Sequence, residues 1–191
     1  MAERVAPRKP STEDRWTYER YLRETAEGEY FTIIEGEKIV SPSPTSFHQE
    51  ILGNLHSFLR AWAKQTGIGK VRLAPFDVVL AEDEVVQPDL VLVLAEHFGR
   101  LTEKNIQGSP DLVVEIISPG SIRLDREKKR ALYARHGVPE FWIVSPAERT
   151  VEVLRLHGSD YATAALFEET DTLESPLLPG FSCAVKDVFT E

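Results

Sequence analysis

Asp111-Leu-Val-Val-Glu-Ile-Ile117 sets a carboxylate, Glu115, in the middle of a run that is otherwise Leu, Val and Ile. Runs of this kind read as strands buried on both faces. A second apolar strand, Gln87-Pro-Asp-Leu-Val-Leu-Val93, opens on another acid, Asp89. An unpaired carboxylate inside a core costs several kcal/mol, so such a group takes a cation as its partner. For Glu115 that partner is a metal ion, or a Lys or Arg from a neighbouring helix, and the residues alone leave both open.

Working outward, Ser46 to about Gln65 reads as a long helix, with Gln49 placed for a capping box and Gly67 beyond its end. Leu52, Leu55, Leu59 and Trp62 form its apolar stripe, widened by Ile51 and Phe58, and His48 continues it one turn earlier. Strands are expected at about 71–80, 87–94 and 111–117, then a second long helix over 121–136 that stops at Gly137. Further strands follow at Glu140 to Val144, Thr150 to Leu156 and around Tyr161 to Phe167. Ahead of the first long helix, a short helix containing Trp16, Tyr18 and Tyr21 is capped from Ser11, and residues 30–40 form a hairpin turning at Glu35-Gly36. Residues 1–10 read as a disordered tail and 11–191 as one domain. This order predicts a mixed-sheet α/β fold with helices on both faces.

The dipeptide Pro-Asp occurs at 88–89 and again at 110–111. Asp111 and Glu115 lie four residues apart on one strand, roughly 13 Å at ~3.3 Å per residue, too far to share one ion. Asp89 comes from an adjacent strand, and neighbouring strands are only ~4.8 Å apart. Asp89 and Glu115 are therefore the expected pair, and Asp111 is assigned to turn chemistry at a strand start. The Ile116 carbonyl offers a third oxygen, and such a donor set suits Mg²⁺ or Mn²⁺. Lys129 lies four after Asp125 and four before Tyr133, on the inward face of the second helix. There it either assists phosphodiester chemistry beside the acids or snorkels past the core edge. His48 is either a satisfied core group or a neighbour of the acidic pair. The other histidines, 56, 97, 136 and 157, show no ligand-like spacing.

Composition limits the alternatives. The chain has 191 residues, and its net charge of −9 argues against broad, non-specific nucleic-acid binding. A local basic run over 123–135 remains: Arg123, Arg126, Lys128, Lys129, Arg130 and Arg135. No stretch approaches the ~18 apolar residues of a membrane span, and the N-terminal residues lack a secretory core, so a cytoplasmic protein is expected. The one cysteine, Cys183, excludes an internal disulfide and reads as a small buried side chain.

Several blocks in one order resemble the Uma2-type endonucleases, a branch of the PD-(D/E)XK superfamily that includes restriction enzymes. They are Ser41-Pro-Ser-Pro-Thr-Ser-Phe-His48, Val86-Gln-Pro-Asp-Leu90, Pro110-Asp-Leu-Val-Val-Glu-Ile-Ile-Ser-Pro119, Lys129-Arg-Ala-Leu-Tyr133, Gly137-Val-Pro-Glu-Phe-Trp142 and Ser175-Pro-Leu-Leu-Pro-Gly180. The resemblance runs from about Thr17 to the C-terminus. It implies a restriction-endonuclease-like core, metal held by Asp89, Glu115 and Ile116, and a DNA endonuclease using Mg²⁺ or Mn²⁺. Lys129 replaces the superfamily lysine that would fall at Ile117, with His48 assisting. A homodimer joining two grooves is the expected assembly. Thr32 stands where the resembling sequences carry a glutamate, which with the net charge of −9 opens the alternative of a catalytically weak binding or regulatory module. Because the motif reads the phosphate and not the sugar, a phosphodiesterase acting on RNA or nucleotides is the other.

Overall fold

The computed structural model describes residues 14–26 and 28–191, so the expected tail over 1–10 and the Ser11 cap lie outside the described residues. Helix α1 (Tyr18–Glu24) and the hairpin β1 (Thr32–Ile34) and β2 (Glu37–Ile39) lead to the long helix α2 (Ser46–Thr66). Strands β3 (Gly69–Leu73), β4 (Asp77–Ala81), β5 (Glu84–Val86) and β6 (Leu90–Leu94) follow. After a 3-10 turn (Ala95–Arg100) come β7 (Asn105–Gln107) and β8 (Leu112–Ile116), then a π-helical segment (Leu124–Lys129) that continues as α3 (Arg130–Arg135). The chain closes with β9 (Glu140–Ser145), β10 (Thr150–His157), β11 (Asp160–Phe167), β12 (Thr172–Glu174), β13 (Ser182–Ala184) and α4 (Val185–Val188).

The strands form a mixed six-stranded sheet, β11-β10-β9-β8-β6-β3, a five-stranded sheet, β2-β1-β5-β4-β7, and a small β12-β13 pair. In the six-stranded sheet β8 and β9 run parallel while β6 pairs antiparallel with β8, the register being Leu90↔Val114 and Leu92↔Leu112. Alternation sends Leu112, Val114 and Ile116 to one side, against Ile51, Leu55 and Leu59 of α2. Val113 and Ile117 point to the other side, where they join Leu132 and Tyr133 of α3 and Val78, Val86 and Ile106 of the second sheet. Glu115 lies between Val113 and Ile117 in this alternation, so its carboxylate enters the second layer.

Three expectations change in detail. The strand expected over 71–80 is two strands, β3 and β4, in different sheets. Pro75 lies between them, and without an N–H it cannot continue a ladder. Helix α2 is capped by Thr45, whose side chain accepts from His48 N at 3.2 Å, and not from Ser46. Likewise α1 is capped by Thr17, which accepts from Arg20 N at 3.2 Å. The hairpin turns where expected, with Glu35 at φ 52 and Gly36 at φ 77. Two consecutive left-handed residues match the twist of the flanking strands.

Candidate metal centre

Four elements meet at one end of the β6–β8 pair. Asp89 immediately precedes β6, and the register carries it alongside Glu115. Its Oδ2 accepts the Ile116 backbone N–H at 2.7 Å and lies 3.3 Å from Nε2 of His48, on the first turn of α2. Glu115 is only 2% exposed, and both of its oxygens are engaged. Lys129 Nζ donates to Oε2 at 2.8 Å, and the Tyr133 hydroxyl donates to Oε1 at 2.6 Å. Lys129 Nζ also lies 3.0 Å from Oδ1 of Asp125.

The π-helical segment aims these side chains. The Arg130 N–H donates to the Asp125 carbonyl, five residues back, which widens the turn. Asp125 and Lys129, four apart, then face the sheet together and are both buried. Tyr133 follows four residues later on the same side. The expected regular helix over 121–136 is corrected here: Leu124–Lys129 is π-helical and only Arg130–Arg135 is α-helical.

The electrostatics are those of a cluster with surplus negative charge: Asp89, Glu115 and Asp125 against Lys129. Burial pushes the Glu115 carboxyl up to about 8, with Lys129 opposing the rise and Asp125 and Asp89 adding to it. For Lys129, burial works against the charge, but Glu115 and Asp125 outweigh it and hold the ammonium protonated. Burial, then Glu115, raises the Tyr133 hydroxyl. His48 is pulled down by burial yet raised on balance by Asp89, with help from the Ile116 carbonyl.

These residues fit a hard divalent cation. Asp89, Glu115 and the Ile116 carbonyl are all oxygen donors, the class that Mg²⁺ and Mn²⁺ prefer. Asp125 Oδ1 is buried, and the Lys129 ammonium at 3.0 Å meets it as an ion pair without a well-aligned hydrogen bond. Once Glu115 gives up its proton, three acids face one lysine, a surplus that a second cation would balance. Of the two partners left open for Glu115 by the sequence, Lys129 is therefore present, and the donor set for an ion stands beside it.

The site opens into a cleft of about 430 Å³, lined among others by Tyr30, Thr32, Pro42, Ser121 and the four charged side chains. The chain matches a family model, Uma2, described as "Putative restriction endonuclease", over residues 17–186. The chain belongs to the Uma2 family. A crystal structure of "a putative nuclease belonging to DUF820" from Anabaena variabilis has the same mixed α/β fold, with a TM-score of 0.75 at 23% identity. The match covers 91% of this chain and 97% of that one. No curated protein matches the chain.

Against the Uma2 pattern, the other expected positions fall out as follows. Ile117 is buried in the apolar layer, and Lys129 supplies an amine to Glu115 from the helix instead. Thr32 is buried on β1 and lines the cleft, so the family glutamate would face the same space. Of the two acids that follow it, Glu35 is at the exposed hairpin turn and Glu37 lies 3.9 Å from Lys128. Cys183 is buried, and burial pushes its thiol up to about 12, which suits packing and not nucleophilic attack.

Asp111 does more than turn chemistry. It is buried at the far end of the β6–β8 pair, where Oδ2 accepts the Leu94 N–H at 2.7 Å and Oδ1 meets Nδ1 of His97 at 2.7 Å. His97, dismissed on spacing, thus stands with Glu96 and Asp111, their ligand atoms within 4.8 Å of one another. Asp125 and Tyr133 were not singled out as site residues. Their signal was their four-residue offset from Lys129 on either side. A further cleft, of about 450 Å³, lies between β10–β11 and the C-terminal segment, and Glu174 is the one titratable group among its described lining residues.

Proposed function

We propose that this Uma2 protein is a divalent-metal-dependent DNA endonuclease that hydrolyses phosphodiester bonds. The observation that carries the proposal is the meeting of Asp89 and Glu115 in one cleft with a charged amine, Lys129, on the second acid. Asp89, Glu115 and the Ile116 carbonyl would hold Mg²⁺ or Mn²⁺. Such an ion supplies charge neutralisation at a scissile phosphate and acidifies water. Lys129 stays protonated, so its role is to orient the attacking water and to stabilise charge gathering on the phosphate, not to remove a proton. Tyr133 and Asp125 hold Glu115 and Lys129 in place. His48 fixes Asp89 and offers a proton donor at the cleft wall.

The same proposal includes a cytoplasmic setting and a homodimer that brings two clefts to one substrate, since a net charge of −9 gives a single copy little general attraction for DNA. Two rival readings remain distinct. Thr32, in place of the family glutamate, favours a nuclease fold kept for binding or regulation without turnover. Hydrolysis of RNA or nucleotides is the other, because the cluster addresses a phosphate and not a sugar.

The test is cleavage of plasmid, single-stranded DNA and RNA in Mg²⁺ or Mn²⁺ by wild type and Glu115→Ala. Metal-dependent cleavage of DNA lost in the variant supports the proposal. Equal activity in both proteins removes the site assignment, and no cleavage by either favours the binding module.

A further inference from the structure

We infer that the metal cleft takes an unpaired nucleotide, its base stacked on Tyr30, and not an intact duplex. The inference rests on the proposed phosphodiester chemistry and names the substrate form that the same site accepts. Three observations lead to it.

First, the cleft wall is poor in cations. Lys129 is the one Lys or Arg among its described lining residues, and it is buried against Glu115 and Asp125. The cations on the adjoining helical segment are already matched: Arg123 with Glu127, Arg126 with Glu152, Lys128 with Glu37 and Arg130 with Asp160. Duplex binding draws its affinity from many Lys and Arg contacts to phosphates, and among the described residues the cleft lining offers no such rail. Second, the cleft offers an aromatic face instead. Tyr30 lines it and is 51% exposed, a large ring left half in solvent. Beside it on the lining, Gln87 is held by the Tyr21 hydroxyl, to which it donates at 3.2 Å. Base–aromatic stacking is the sequence-tolerant way to hold a single strand. Third, the volume is small. About 430 Å³ lies near the lower end of the ~300–1,000 Å³ range of ligand pockets, a space for one nucleotide. Ser41, Ser43, Ser118 and Ser121 add hydroxyls around that space for a sugar and phosphate.

An unpaired nucleotide can come from a single strand or a free dinucleotide, and the experiment separates these. Oligonucleotides carrying 2-aminopurine are titrated as a single strand, as the matched duplex and as a dinucleotide. Calcium replaces Mg²⁺, and the proteins are wild type, Tyr30→Phe and Tyr30→Ala. The inference expects fluorescence quenching by wild type and Tyr30→Phe with the single strand. It also expects roughly tenfold or greater loss of affinity in Tyr30→Ala, the size of one lost stack. The duplex should bind at least tenfold more weakly than the single strand. Between about 50 and 200 mM salt, single-strand affinity should fall far less than the 10³–10⁵ expected of six to ten phosphate contacts. Binding of the dinucleotide as tight as that of the strand locates all recognition in the cleft and also supports the inference. Equal affinity of Tyr30→Ala and wild type, or tighter binding of the duplex, overturns it even where metal-dependent cleavage stands. Absence of cleavage in Mg²⁺, with quenching that still depends on Tyr30, sinks the nuclease reading alone.

Discussion

The β6–β8 pair ends twice in the same way, and only one end gathers a buried acid and a buried amine. At one end, Asp89 of Pro88-Asp89 accepts the Ile116 N–H at 2.7 Å and lies beside His48. At the other, Asp111 of Pro110-Asp111 accepts the Leu94 N–H at 2.7 Å and bonds His97. Each aspartate caps the last residue of the neighbouring antiparallel strand and is paired with a histidine from outside the pair. The difference lies in what the second layer supplies. Around Asp89 stand Glu115, Asp125, Lys129 and Tyr133, three of them delivered by a π-widened helix. Around Asp111 stands one further acid, Glu96, on an exposed turn. A Pro-Asp that opens a strand is thus structural by default, and it becomes a candidate site when a buried acid and a buried amine converge on it.

The largest expected contrast is in rate. Lys129→Met should lower cleavage by about 10²–10³, the size of losing one preorganised electrostatic partner. His97→Gln, at the other end, should leave the rate per folded molecule unchanged. Steady-state cleavage in Mn²⁺ measures both, and a comparable fall in the two variants would erase the distinction between the ends.

The residues that mark this contrast were partly legible in the sequence. Glu115 stood out because an acid inside Leu-Val-Val-Glu-Ile-Ile has no local reason to be there, and Asp89 because a strand register could bring it near. Helix α2 was readable from its stripe, missing by one residue only at the cap, where Thr45 and Ser46 are chemically equivalent candidates. Three features were not readable. The second sheet was hidden because Val71 to Leu80 is apolar on both sides of Pro75, and which side joins which sheet is decided by tertiary pairing. The π segment was hidden because a four-residue offset suits an α-helix equally well. His97 was dismissed because its partner Asp111 comes from a different element, so sequence spacing carries no trace of it.

Stability should show the reverse ranking. Asp111→Ala removes a buried carboxylate that accepts the Leu94 N–H and meets His97, and should cost roughly 1–3 kcal/mol in urea unfolding. Asp89 is part-exposed at a cleft, so Asp89→Ala should cost less. A greater loss from Asp89→Ala would mean that its end is the structural one.

The pH dependence sharpens the same comparison. Glu115 is raised from 4.5 to about 8 on folding, so the folded chain binds a proton that the unfolded chain has released. Its stabilising contribution is whole below about 4.5 and declines as pH rises toward 8. His48, raised above 6.5, acts in the same direction at higher pH. Wild type should therefore lose more stability between pH 5 and 8 than Glu115→Gln does, as followed by thermal melts. Parallel pH profiles would mean that Lys129 and Tyr133 offset the burial of Glu115 fully.

The smallest effect expected is at the helix cap. Thr45→Ala should lower stability by about 0.5–2 kcal/mol, and Ser46→Ala by less, since only Thr45 accepts from His48 N. Because His48 faces Asp89 from the first turn of α2, the Thr45 variant should also weaken activity slightly more than its stability loss explains.

The most direct test of the central claim, that Asp89 and Glu115 share one divalent ion, is calorimetric titration of Mn²⁺ into wild type, Asp89→Ala and Asp111→Ala. The account predicts one site per chain, lost in Asp89→Ala and retained in Asp111→Ala. Retention in Asp89→Ala, or loss in Asp111→Ala alone, would contradict it.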